Sequence, residues 1–417
     1  MRNIFDQYGQ PENRLTHALL TSLAEDPGLL RRFMRNFLQD REVASPFEIY
    51  EQSLPGERLT LSEDEAEKRG LPDGCIVDGS GRTWLIESKI AAHPTADQLQ
   101  RHRRTAVRRQ LRQVELLVLT TGRRTREPVA GTLHRTWSEV YRWLQGESSR
   151  STWAARCARY FEIAEVRLLQ EGYKYEGTLT VFTGIPFGSE TPYQYAEAKR
   201  HLDLLRRELL NRPQLIRQLG IDPNSRGRPA VTGSRELAIW DYISLKRARG
   251  TANHTKYPHL TIGLHADRID AYVTVPNGVS SSIRSRLFAI DANMFADRVH
   301  RVTAAIDKGI RRTNGLPRIG VIQRRYRTQR AVPTVDATLR FDPRTAFPSF
   351  PPTTPQIKQQ PQWLDAVYSV MTSRNSNLQF QIGAEFPYHT CPILRTPKIV
   401  DVIERVWLAC APFVNPD

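Results

Sequence analysis

A short hairpin pattern constrains this chain more than any other part of it. Residues 71–90 read LPDGCIVDGSGRTWLIESKI, in which two apolar runs flank a strong turn signal, DGSG. A turn centred on Ser80 places Asp73 opposite Glu87. Lys89 follows two residues later and returns to the same face of the strand as Glu87. The pattern predicts two carboxylates and an amine at one end of a sheet, which suits a hard divalent cation. The alternative is a surface hairpin with solvated acids and a stray lysine.

The residues before this hairpin predict an amphipathic helix with an acid near its start. Pro11 suits the first turn of a helix. An apolar stripe follows at near-helical spacing, formed by Leu15, Leu19 and Leu23. Glu12 lies on or beside that stripe, so it is a candidate third acid. A glutamate in a first turn also favours the helix dipole, which is the structural alternative.

A strongly basic helix is predicted after Pro94. Gln98 and His102 are four residues apart and therefore share one of its faces. Arginines crowd nearly every face, namely Arg101, Arg103, Arg104, Arg108, Arg109 and Arg112. A helix with this much positive charge beside a metal site suits a phosphate-bearing substrate. Each arginine taken singly is better explained as a solvated charge.

The order of elements predicts an α/β core. In chain order we expect a helix at 11–24, strands near 47–52, at 74–78 and at 82–89, a helix at 94–113, a strand at 114–121 and a helix at 136–144. The run at 114–121 is almost continuously apolar, as in a strand buried on both faces. The basic helix before it is the crossover that a parallel pair of strands requires.

These motifs resemble the PD-(D/E)XK nuclease superfamily over residues 1–146. Its signature is Pro-Asp followed by acid-x-Lys on adjacent strands, and Pro72-Asp73 and Glu87-Ser88-Lys89 match it. Glu12 matches the acid that many members carry on their first helix. Gln98 matches the glutamine of RecB-type members, which usually have tyrosine where this chain has His102.

The resemblance implies a restriction-endonuclease-like core, in which helices flank a mixed sheet. It implies that Mg²⁺, or Mn²⁺, is held by oxygen ligands from Glu12, Asp73, Glu87 and the carbonyl of Ser88. Lys89 would orient the attacking water or stabilise the transition state. Asp73, Glu87, Lys89 and Gln98 form the catalytic set that it implies.

The expected activity is hydrolysis of phosphodiester bonds by a metal-dependent endonuclease. DNA is the favoured substrate, and a bacterial defence or restriction-type effector is the expected role. Two alternatives stay open, an RNA-cleaving enzyme of the same superfamily and a catalytically silent nucleic-acid-binding protein. A homodimer and a sensor or defence-system partner protein are further expectations.

Composition bounds the remaining possibilities. The chain has 417 residues and four scattered cysteines, without a Cys-x-x-Cys pair. It has no apolar run long enough for a membrane span and no secretory signal, so we expect a reduced, cytoplasmic protein without membrane contact. Residues 1–150 hold 23 basic and 21 acidic side chains, whereas the remainder holds 37 and 23. The strongly basic part therefore follows the predicted core, which favours nucleic-acid binding there.

Five segments are predicted from these patterns. They are the nuclease domain at 1–146, a linker or helix at 147–160, a basic α+β domain at 161–346, a proline-rich linker at 347–362 and a C-terminal α/β element at 363–417 that packs on the second domain. The basic α+β domain would serve recognition, sensing or dimerisation. Within it we expect strands at 161–169 and 178–183 and a helix at 282–312.

The densest basic-aromatic stretch is Arg318–Arg330. It is either a phosphate-tracking strand with one stacking ring or an edge strand whose charges discourage aggregation. Six arginines are our candidates for nucleic-acid contact, namely Arg101, Arg104, Arg108, Arg324, Arg325 and Arg327.

Overall fold

The chain folds into two compact units, Met1–Val181 and Phe182–Asp417. The computed structural model describes residues 3–56, 65–66, 69–91, 94–122, 131–173, 175–227, 237–248, 255–325, 334–350, 358–373 and 377–415. Within these residues, no helix is both long enough and apolar enough to cross a membrane.

The first unit is built around a five-stranded mixed sheet. Its strands, in the spatial order β1 to β5, are Phe47–Glu51, Gly74–Asp78, Arg82–Lys89, Arg112–Thr120 and Thr132–Thr136. The first three pair antiparallel, and β3, β4 and β5 pair parallel. The helices are α1 (Pro11–Glu25), α2 (Pro27–Arg32), α3 (Ala96–Arg108), α4 (Trp137–Glu147) and α5 (Thr152–Glu171), with a π-helical turn at Phe33–Phe37. The prediction of a mixed sheet flanked by helices is confirmed.

Both faces of this sheet are apolar, and each face packs against helices in a hydrophobic cluster of its own. Ile76, Ile86 and Leu117 pack with residues of α1, α4 and α5. Leu85 and Leu116 lie on the opposite face and pack with residues of α3. Strand β4 is therefore buried on both sides. This burial explains its near-continuous apolar run, as the sequence predicted.

The hairpin has the predicted register. Gly74 pairs with Ile86 and Val77 with Thr83, which are pairs equidistant from Ser80. The turn is fixed by Asp78, whose Oδ1 accepts hydrogen bonds from the backbone N–H groups of Ser80 (2.9 Å) and Arg82 (3.0 Å). This register brings the segment that begins at Asp73 alongside the end of β3.

The first unit extends to Val181 rather than ending near residue 146. The strand expected at 161–169 is wrong, since these residues belong to α5, and no strand forms at 178–183. Ser151 caps the start of α5, and Gly172, with φ of 73°, ends it in a left-handed conformation. The buried residues of α5 recur at helical spacing and pack in the same cluster as α1, so this helix belongs to the core.

Glu165 of α5 forms hydrogen bonds with the last residues of the first unit. Its side chain is buried and accepts hydrogen bonds from the backbone N–H groups of Leu179 (2.8 Å) and Thr180 (3.3 Å) and from the Thr180 hydroxyl. The Glu165 carboxylate therefore provides hydrogen-bond acceptors for two backbone N–H groups that are buried away from water.

We predict that Glu165→Ala lowers the free energy of unfolding by about 3 kcal/mol, because two buried N–H groups lose their acceptor. Urea denaturation followed by circular dichroism measures this loss. Glu171→Ala, at an exposed position of the same helix, is the matched control and should change stability by less than about 0.5 kcal/mol. Equal stabilities of the two variants would contradict this role of Glu165.

The second unit contains a six-stranded antiparallel sheet. In spatial order its strands are β10 (Thr334–Phe341), β9 (Leu316–Arg325), β11 (Leu378–Pro387), β8 (Arg268–Val275), β7 (His259–His265) and β6 (Ala238–Ile243). The helices are α6 (Tyr195–Leu210), α7 (Ser281–Phe288), α8 (Ala292–Ile310), α9 (Gln362–Thr372), α10 (Ile399–Ala409) and the short α11 (Ala411–Val414). Two helices, α7 and α8, therefore replace the single helix expected at 282–312.

The C-terminal residues are part of this sheet and its core. We expected residues 363–417 to pack on the second domain, but β11 lies in the middle of the sheet, between β9 and β8. Phe380 and Ile382 of β11 share one hydrophobic cluster with Ile403 and Trp407 of α10. The proline-rich segment therefore connects two parts of one core, and its residues 351–357 lie outside the described residues.

Candidate active site

A small polar cleft opens in the first unit where β3 and α3 meet the segment before β2. The residues that line it are Gln10, Asn13, Gln52, Ala66, Leu71, Pro72, Asp73, Glu87, Lys89, Gln98, Arg101 and His102. The structure thus brings together Asp73, Glu87, Lys89 and Gln98, the four residues predicted to be catalytic.

Asp73 is held in place by the end of β3. Its Oδ2 accepts hydrogen bonds from the Ser88 backbone N–H (2.7 Å) and the Ser88 hydroxyl (3.0 Å). Ser88 was predicted to act through its carbonyl oxygen, and its observed contacts with Asp73 are instead made by donors. These bonds fix the direction of the Asp73 carboxylate relative to Glu87, the residue that precedes Ser88.

Glu87 is the most constrained group in the cleft, being only 1% exposed. Its Oε1 lies 3.0 Å from Lys89 Nζ and accepts a 2.6 Å hydrogen bond from Gln98 Nε2. Its Oε2 lies 2.9 Å from His102 Nε2. Gln98 and His102 therefore share the face of α3 that their spacing predicted, and that face lies against β3.

The two carboxyl groups differ in their electrostatics. Burial alone would raise the pKa of Glu87, but the hydrogen bond from His102 and the charge of Lys89 hold that pKa below its usual value. Burial, and secondarily the Glu87 charge, raise the pKa of Asp73 to about 7. Negative charge is thus fully compensated at Glu87 and poorly compensated at Asp73.

His102 connects Glu87 to the loop that carries Asp73. Its Nδ1 lies 2.9 Å from the carbonyl oxygen of Gly70, and its Nε2 lies against Glu87. A carbonyl oxygen and an ionised carboxylate both accept, so both ring nitrogens act as donors. The Glu87 charge raises the pKa of His102 against the opposing effect of burial. Sequence spacing placed this residue correctly but did not reveal its partner.

The predicted third acid, Glu12, does not line the cleft. The Thr16 hydroxyl lies 3.0 Å from the backbone oxygen of Glu12 and 2.8 Å from Ser88 Oγ, and its one hydrogen can be donated to either. Asn13 and Thr16 are three residues apart, so they share the face of α1 that lies toward β3. Sequence analysis therefore missed Asn13, which is 6% exposed. Burial lowers the pKa of Lys89, but the charges of Glu87 and Asp73, with a smaller contribution from Glu12, raise that pKa above its usual value.

The arginines proposed for nucleic-acid contact occupy different places. Arg101 lines the cleft, and its side chain lies so close to Gly70 that an added Cβ there would come within 2.9 Å of it. Arg104 and Arg108 are exposed on α3. Arg324 and Arg325 belong to β9 in the second unit, and Arg327 lies outside the described residues.

No family model, no curated protein and no solved structure matches this chain.

We predict that Glu87 and His102 are strongly coupled in folding. In a double-mutant cycle of Glu87→Ala and His102→Ala, the interaction free energy should be about 2 kcal/mol, because each single change leaves a buried polar group without its partner. Urea denaturation of the four proteins measures it. The more accessible pair Arg159 and Glu162, whose side chains are 62% and 21% exposed, is the control and should give less than about 0.5 kcal/mol. Additive effects at Glu87 and His102 would contradict the contact.

Proposed function

We propose that the first unit is a metal-dependent nuclease that hydrolyses phosphodiester bonds, with a restriction-endonuclease-like core. One observation carries this proposal. Asp73, immediately before β2, and Glu87 of β3 converge with Lys89 in a polar cleft. Paired carboxylates and a lysine at one sheet end are the groups from which a hard cation site and a charge-stabilising amine are built.

The donor groups of the cleft fit Mg²⁺ or Mn²⁺ better than a softer metal, because Asp73 and Glu87 offer only oxygen atoms. Within the described residues, no group of three or more histidine, cysteine, aspartate or glutamate side chains is arranged to hold a metal ion. Magnesium is commonly held by one or two carboxylates and completes its shell with water and substrate phosphate. We therefore place the ion at Asp73 and Glu87, without the carboxylate of Glu12.

The side chains of the cleft have distinct roles in this mechanism. Bound Mg²⁺ supplies Lewis acidity toward a phosphate oxygen and lowers the pKa of water. Ser88 fixes Asp73, while Gln98 and His102 fix Glu87, so both carboxylates are oriented before substrate arrives. Lys89 stays protonated beside them and stabilises negative charge as it develops on the phosphate. Arg101, at the rim, would bind a neighbouring phosphate.

DNA remains the favoured substrate, and a cytoplasmic defence or restriction-type effector remains the proposed role. Both follow from the resemblance of the 72–73 and 87–89 motifs to the PD-(D/E)XK superfamily. RNA cleavage uses the same acid site, so labelled DNA and RNA must be compared directly. Tight, salt-dependent binding without cleavage under any divalent ion would instead favour a silent binding protein.

We predict that Lys89→Ala lowers the rate of Mg²⁺-dependent cleavage about a thousandfold, because charge on the transition state loses its nearest amine. Gel analysis of labelled nucleic acid measures this rate, and circular dichroism checks that the fold is retained. Lys308→Ala, an exposed position on α8, is the control and should cleave at the parental rate. Parental activity in Lys89→Ala would exclude the proposed mechanism.

Metal binding gives a test that does not depend on activity. We predict that Asp73→Asn weakens Mn²⁺ binding at least tenfold, because a charged oxygen ligand becomes a neutral amide. Electron paramagnetic resonance of free Mn²⁺ measures the dissociation constant. Asp97→Asn, an exposed change in the first turn of α3, is the matched control. Indistinguishable Mn²⁺ binding by the two variants would show that Asp73 is not a ligand.

A further inference from the structure

The β9–β10 hairpin of the second unit extends beyond the sheet to which it belongs. The last residue pair of the ladder between β9 and β11 is Gln323 with Leu378, and a 3.5 Å hydrogen bond from the Arg324 backbone N–H to the carbonyl oxygen of Asn377 follows it. Strand β9 continues, and its last residues pair with β10 as Arg324 with Val335 and Arg325 with Thr334. We call residues 323–325 and 334–338 the arm.

Strand β10 of the arm is exposed on both of its faces, whereas Gln323 and Arg324 of β9 are half-buried. Successive residues of a strand point to opposite faces, so a strand that covers a core alternates between buried and exposed positions. All five β10 residues of the arm, 334–338, are exposed. Val335 is 54% exposed although it is apolar. The described part of the arm is thus a two-stranded ribbon whose β10 strand is accessible to a partner from either face.

The charge of the arm differs from that of the sheet behind it. Arg318 and Arg340 both form ion pairs with Glu385, and Arg340 also lies 4.0 Å from Asp270. The Arg324 guanidinium donates to a neutral group, the side-chain oxygen of Gln379, so this contact orients the guanidinium without compensating its charge. Arg325 is 71% exposed and lies 3.4 Å from Asp336, an exposed pairing that contributes little.

The geometry points to duplex DNA as the partner of this arm, an inference that rests on the proposed nuclease function and narrows its substrate. A two-stranded ribbon fits the major groove of B-form DNA, which is about 12 Å wide. The major groove of A-form RNA is too deep and narrow for side chains to read. Arg324 and Arg325 supply the cationic contacts, and the uncharged side chains of Thr334, Val335 and Thr338 allow close approach to the groove.

Edge-to-edge pairing with a second copy of the chain is the competing use of an exposed β10. The register of β10 shifts between Val335 and Ala337, which is a bulge. Bulges and charged residues at a sheet edge oppose the addition of another strand. Over residues 316–341 the sequence holds six arginines and one aspartate, so two copies would also repel each other.

The test compares Arg324→Ala/Arg325→Ala with a control that removes two exposed arginines from the end of α8, Arg311→Ala/Arg312→Ala. Fluorescence anisotropy with short labelled DNA duplex, RNA duplex and single-stranded DNA is recorded in EDTA, so that binding is measured without cleavage. We expect the arm variant to bind duplex DNA about tenfold more weakly, with a salt dependence reduced by about two contacts. The control should bind as the parent does.

Several outcomes would overturn the proposal. They are equal binding by the arm variant and the parent, equal affinity of the parent for RNA duplex or single-stranded DNA, and an arm-dependent dimer in light scattering. Mg²⁺-dependent DNA cleavage that survives in the arm variant with unchanged binding would refute the arm and leave the acid site intact. Arm-dependent DNA binding by a parent that cleaves under no divalent ion would support the arm and refute the hydrolysis.

Discussion

The first unit depends on one buried carboxylate. Glu87 is almost inaccessible to water, and an ionised carboxylate is tolerated there only if its oxygens are fully paired. Lys89 comes from the same strand, but Gln98 and His102 come from α3, so that helix must lie against β3 with one defined face inward. The crossover between two parallel strands is the element that can be placed there. The partners that Glu87 needs and the crossover between β3 and β4 therefore both place α3 against β3.

The β2–β3 hairpin positions the second carboxylate, that of Asp73. Antiparallel pairing of β2 with β3 sets the position of Asp73, and the Ser88 donors set its direction. Because Ser88 alternates with Glu87 along the strand, it reaches Asp73 and the α1 residue Thr16 without entering the set of contacts around Glu87. One short strand thus orients both acids and anchors α1. A chemically mild change at Ser88 would disturb Asp73 and α1 and leave the partners of Glu87 in place.

Sequence analysis located the hairpin and the acids on it because turn chemistry and strand alternation are local properties. It misplaced Glu12 because a helix turns by about 100° per residue, and only packing decides which of two adjacent residues faces the sheet. Both residues lie within one helical turn of Thr16, which meets Ser88, yet Asn13 lines the cleft and Glu12 does not. It also read a strand where α5 lies, since a short apolar run fits either period until a cap such as Gly172 and a partner such as α1 decide.

The charge of the second unit shows why composition alone could not find a binding surface. Pairing leaves a net charge unchanged but determines where it resides. Arg268 is held by Asp270, and Arg344 by Asp342 and Asp307, so these arginines stabilise the fold rather than a ligand. Glu385 does the same for Arg318, only six residues before Arg324. Strand β9 therefore has arginines in ion pairs where it lies within the sheet, and arginines with accessible charge where it continues beyond β11. The point of change is where β11 stops pairing with β9, so sheet topology, and not arginine content, defines the surface available to a polyanion.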